Sequence, residues 1–90
     1  MNKAIFDFNE IVDQTHFLQQ FSERFAHNEN FYDLDELWDA VLSPRMPLPL
    51  EIEFIHLGTG QKRRYGALIL LLEEAEAELE GRFLFTVRPG

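Results

Sequence analysis

Phe31-Tyr32-Asp33-Leu34-Asp35-Glu36-Leu37-Trp38-Asp39-Ala40-Val41-Leu42 has a start, a face and a stop that can be read without any partner in space. Asp33 is placed to cap the free amides of a helix, and Glu36, three residues on, completes an Asp-x-x-Glu capping box. Leu34, Leu37, Val41 and Leu42 then fall on one stripe. Asp35 and Asp39, four residues apart, fall on another, with Trp38 beside them. Beyond Ser43, Pro44, Pro47 and Pro49 cannot continue the helix. The segment is therefore a short, bounded, amphipathic helix.

Downstream, the proline-rich link delivers Leu50 to about Leu57, where Leu50, Ile52 and Phe54 alternate with Glu51, Glu53 and Ile55. Alternation predicts a strand, and two glutamates on one face predict an edge position or a partly open face rather than a central strand. Gly58-Thr59-Gly60-Gln61-Lys62 reads as a loop, and Lys62-Arg63-Arg64 as a solvated basic cluster within it. A further helix is predicted from Gly66 or Ala67 to Glu80, with Leu68, Leu71, Leu72, Ala75 and Leu79 buried and Gly81 as a left-handed cap. Phe83 to Val87 is a last strand.

Upstream, Lys3 to Phe8 reads as a strand, followed by a turn at Asp7, Asn9 and Glu10. Asp13 or Thr15 can cap a helix to about Ala26, with Phe17, Leu18, Phe21 and Phe25 inward and Gln14, Gln19, Gln20, Glu23 and Arg24 outward. His27-Asn28-Glu29-Asn30 breaks that pattern. The expected order is β-α-α-β-α-β. Short strands joined by helical crossovers favour parallel pairing with right-handed connections. The predicted fold class is thus α/β, a small three-stranded parallel sheet packed with helices, as one domain over residues 1–90.

Composition narrows the function classes. The chain is 46% hydrophobic with nine Phe, which excludes a disordered acidic tail. It has no Cys, so disulfides, thiol catalysis and thiolate metal sites fall together, and a reducing, cytoplasmic setting is expected. Asp7 and Glu10 precede any long apolar run, which argues against a secretory leader, and Ala67 to Leu72 is too short to span a bilayer. Sixteen acidic groups against eight basic ones give a formal charge of −8. Nucleic acid and anionic membranes are poor partners for such a molecule, whereas a basic protein would be steered toward it.

Catalytic chemistry finds little support. His16, His27 and His56 lack metal-ligand spacing, so neither a metal nor a cofactor is expected. Ser22, Ser43, Thr15, Thr59 and Thr86 lie in no nucleophile elbow, and Gly58-x-Gly60 lacks the remainder of a phosphate loop. Carboxylates on an exposed helix suit protein binding better than acid–base work in a cleft, so no enzyme is expected. The acidic helix has two readings: a solvated face, or a binding surface with Tyr32 and Trp38 as aromatic anchors and carboxylates that accept bidentate hydrogen bonds from arginine. Trp38 has two of its own, since the ring can equally turn inward and pack behind the helix.

Lys3-Ala4-Ile5, Phe31-Tyr32 followed by Leu34-Asp35-Glu36-Leu37-Trp38-Asp39, Pro49-Leu50-Glu51-Ile52, Gly66-Ala67, Glu74-Ala75-Glu76-Ala77-Glu78 and Phe83 to Val87 together resemble the barstar family of intracellular ribonuclease inhibitors. The resemblance covers nearly the whole chain, and Leu-Asp-x-Leu-Trp-Asp after an aromatic pair is its most specific part. It implies a three-stranded parallel sheet with packed helices, and a stoichiometric inhibitor that plugs a secreted microbial ribonuclease or toxin nuclease. It also implies a monomer when free. Asp35 and Asp39 become the leading contacts, with Asp39 the hot spot, Phe31 and Tyr32 the aromatic part of the interface, and Glu74 an assisting carboxylate. Glu76 takes that place if the helix register slips by two. The departure is a two-residue contraction: Phe31-Tyr32 is followed at once by Asp33-Leu34-Asp35, where the family carries Gly-x-Asn before Leu-Asp. A changed loop shape implies a changed nuclease. The alternative is an acidic interaction module, or an immunity protein for a different basic toxin, with no ribonuclease inhibition.

Overall fold

The computed structural model describes residues 2–25, 31–44 and 46–89. The elements run β1 (Asn2–Asp7), α1 (Gln14–Phe25), α2 (Leu34–Val41), β2 (Leu50–Ile55), α3 (Thr59–Arg64), α4 (Gly66–Glu78) and β3 (Phe83–Val87). All strand pairings are parallel, in the order β1-β2-β3. The small α/β architecture with a three-stranded parallel sheet is therefore as expected, but the order gains a helix.

That helix, α3, occupies the stretch expected to be a loop. It has no apolar period and carries Gly60 within it, so local signals argue against it. A side chain compensates: Gln61 Oε1 accepts from Gly58 N–H at 3.0 Å, and Gln61 Nε2 donates to the Phe8 carbonyl at 3.1 Å. One glutamine caps the helix and ties it to the end of β1. Lys62, Arg63 and Arg64 are exposed, on a helix rather than in a loop.

β2 also departs from expectation, since it is the central strand. Both crossovers step the same way across the sheet, and connections of one hand then place their helices on the same face. Burial agrees: Ala4, Phe6, Leu50, Ile52, Phe54 and Phe83 point into the helix layer. On the other face Ile5 and Leu84 are exposed, with no helix of the described residues over them. Glu53, on this face, is only 5% exposed. A buried carboxylate is tolerable when paired. Here Lys3 Nζ lies 3.7 Å from Oε1 and Arg88 Nε bonds Oε2. The charges that let a glutamate occupy a central strand come from β1 and from the residue just past β3.

On the covered side, aromatic rings form the centre of the core. Phe8 and Phe54 have centroids 4.7 Å apart, Phe6 and Phe17 4.9 Å, and Phe17 and Phe54 5.3 Å. The predicted inner face of α1 is present, with Phe17, Leu18 and Phe21 fully buried and Phe25 packed at the margin. Between the two candidate caps it is Asp13 that serves, its Oδ1 accepting from His16 N–H at 2.8 Å. All five predicted positions are buried, Leu68, Leu71, Leu72 and Ala75 on α4 and Leu79 at its C-cap. Gly81, at φ +83°, turns the chain into β3. Among the described residues no helix is long and apolar enough to cross a membrane.

Candidate functional site

α2 is built as its sequence demands. Asp33 is extended at φ −150°, ψ 175°, and its Oδ1 accepts from Glu36 N–H at 2.9 Å. The returning arm of the box differs from expectation by one residue: Glu36 Oε1 accepts from the amide of Tyr32, at 3.2 Å, rather than from that of Asp33. The two bonds together pin the backbone of Tyr32 against the first helical turn. Leu37 and Val41 are fully buried, and α2 packs on α4.

Asp35 and Asp39 lie on the side of α2 opposite Leu37 and Val41, and both are exposed. Residues at this spacing have Cβ atoms roughly 5–6 Å apart. Among the described residues neither carboxylate has an ion pair or hydrogen bond within the chain, and α2 has no basic residue in its last turn. Four described cations are engaged elsewhere, and Lys62, Arg63 and Arg64 lie on α3. Lys3 and Arg88 serve Glu53, the Arg24 guanidinium sits 4.7 Å above the Phe6 ring, and Arg82 Nε donates to the Leu79 carbonyl. The result is an outward pair of carboxylates that no described residue neutralises.

The aromatic pair divides. Tyr32 is 77% exposed beside the start of α2, whereas Phe31 is 7% exposed and packs 6.0 Å from Phe21. Phe31, expected at the interface, is a core residue that anchors the entry to α2. Adjacent residues in extended chain point to opposite sides, so only one of the two rings can face solvent. Trp38 takes its inward alternative in part: it is half-buried, packed on the core margin with Leu34 and Leu42.

α4 separates the two glutamate candidates. Glu76 is half-buried, and its Oε2 accepts from the Phe85 amide on β3 at 2.8 Å. It shares a flank with Ile69 and Glu73, which line a groove beside β3. At about 100° per residue, Glu74 lies roughly 160° around the helix from Glu76, on the flank away from β3. Glu74 is exposed and can join a surface shared with α2, while Glu76 is committed to the sheet edge. Ala75 is buried as its spacing predicts; what the sequence left open is which flank of α4 meets β3.

His27 lies outside the described residues, and no group of three metal-ligating side chains gathers among the described ones. No known family model matches the chain.

Proposed function

We propose that this protein is a stoichiometric inhibitor that occludes the basic active site of a ribonuclease, of the kind its barstar-like sequence suggests. Asp35 and Asp39 stand in for RNA phosphates, Tyr32 fills space beside them, and Glu74 adds charge from α4. No covalent step occurs. The observation that carries this reading is the outward Asp35–Asp39 couple, without a partner among the described residues, on a helix whose start is capped and whose Leu37 and Val41 are fully buried. Carboxylates held this way need no rearrangement to receive arginine or lysine. The net charge of −8 speeds encounter with a basic enzyme, and close charge-assisted bonds slow release. The contracted loop before Asp35 moves Tyr32 against the helix start, so the cognate enzyme is expected to differ from those of longer-looped relatives.

The test is calorimetry and RNA hydrolysis with basic secreted ribonucleases and toxin nucleases of the source organism, retrieved by pull-down with Asp35→Ala/Asp39→Ala protein as control. Asp39→Ala should weaken binding by about 2–5 kcal/mol with unchanged folding. A change under about 0.5 kcal/mol removes Asp39 from the interface. Saturable binding to a basic toxin without any inhibition of RNA hydrolysis would replace the inhibitor reading by the broader immunity-protein one.

A further inference from the structure

Among the described residues no strand pairs with the outer edge of β3, which runs alongside α4. Leu50 N–H bonds the Arg82 carbonyl and Arg88 N–H bonds the Phe54 carbonyl, which sets the phase of the parallel ladder. Backbone groups of Leu84, Thr86 and Arg88 therefore turn toward β2, and those of Phe83, Phe85 and Val87 turn outward. Between that edge and α4 runs a groove of about 430 Å³, well within the roughly 300–1,000 Å³ of ordinary binding clefts. Its apolar lining is Ile69, Phe85 and Val87. Its charge comes from Glu73 and Glu76, with Lys62 alone opposing them.

We propose that this groove receives an extended cationic segment of another protein, added to β3 as a fourth strand. The outward amides and carbonyls of β3 supply the template that strand addition uses. Alternate side chains of the incoming segment fall onto Ile69, Phe85 and Val87, and its lysines or arginines meet Glu73 and Glu76. Glu76 acts as the internal competitor. Its carboxylate holds the Phe85 amide that an incoming carbonyl requires, so docking exchanges one acceptor for another and frees the carboxylate to pair with the arriving cation. The same charges exclude a second copy of this chain, because pairing two β3 edges would bring two sets of Glu73 and Glu76 together in molecules that already carry −8 each. The groove lies on the opposite flank of α4 from Glu74, so it does not rest on the inhibitor reading.

The test is an NMR titration of the full chain, labelled with ¹⁵N, using a synthetic peptide of about ten alternating lysine and valine residues. Saturable shifts are expected at Phe83 to Val87 and Ile69 to Glu76, with slowed exchange at the Val87 amide. Glu73→Lys should weaken the peptide by about tenfold or more, with the fold checked by circular dichroism, while Asp35→Asn/Asp39→Asn should leave it unchanged. Shifts centred on α2, equal affinity for a backbone N-methylated peptide, or absence of binding would each overturn the proposal. So would self-association through β3, seen by sedimentation equilibrium without peptide.

Discussion

Asp33→Ala tests whether the start of α2 is held as described. α2 has eight residues, below the roughly 12–15 at which an isolated helix becomes even marginal, so its stability comes from the cap and from packing. The substitution removes the acceptor of the 2.9 Å bond from Glu36 N–H. Loss of an N-cap of this kind costs about 1 kcal/mol, and loss of a negative charge at the helix start adds roughly 0.3–1 kcal/mol. Leu37 and Val41 stay buried, so the domain should fold with a deficit of about 1.5 kcal/mol. In a domain of this size that lowers Tm by roughly 6–12 °C. Asp33→Asn keeps the acceptor and loses only the charge, so it should cost roughly 0.3–1 kcal/mol, less than Ala. Urea unfolding followed by the fluorescence of Trp38, the only tryptophan and itself on α2, measures both variants, provided the slope is unchanged. If Asn destabilises as much as Ala, or Ala costs less than about 0.3 kcal/mol, the cap does not hold this helix.

Other consequences are equally direct. Phe31→Ala should cost about 3 kcal/mol or more by thermal unfolding, and Tyr32→Ala less than about 0.5 kcal/mol; the reverse ranking would put Phe31 on the surface. Asp39→Asn, beyond the first turn of α2, should raise folding stability by about 0.2–0.5 kcal/mol through relief of repulsion with Asp35, yet weaken association with the nuclease, most at low salt. The Arg88 hydrogen bond, helped by the charges of Arg88 and Lys3, outweighs burial and holds the Glu53 carboxyl below its ordinary value of 4.5. The unfolded chain therefore takes up this proton first on acidification. Stability from Glu53 is complete above about pH 4.5 and drains away as pH falls through the lower folded value. Urea midpoints of Glu53→Gln should accordingly vary less with pH across that acid range than those of the unmodified protein; identical pH slopes would sever Glu53 from the acid response.

Elements whose signals lie within one helical turn were legible in the residues themselves. The Asp33 cap, the buried stripe of α4 and the aromatic face of α1 follow from spacing of three and four, because each rests on neighbours a few residues apart. The Asp35–Asp39 pair was legible for the same reason, since residues on the side opposite Leu37 and Val41 have nowhere to go but outward. α3 was not legible, because the group that secures Gln61, the Phe8 carbonyl, is 53 residues away.

Strand order, the open face of the sheet and the fate of Glu53 belong wholly to the assembled chain. Alternation in Leu50 to Ile55 says that one side is polar, but β2 could be central only because Lys3 and Arg88 arrive from either side to neutralise the carboxylate. Likewise, nothing local distinguishes Phe31 from Tyr32, or Glu74 from Glu76. Packing against Phe21 chose the ring that went inside, and the Phe85 amide on β3 claimed one glutamate. Local chemistry sets which residues can share a face; contacts between distant segments set what that face meets.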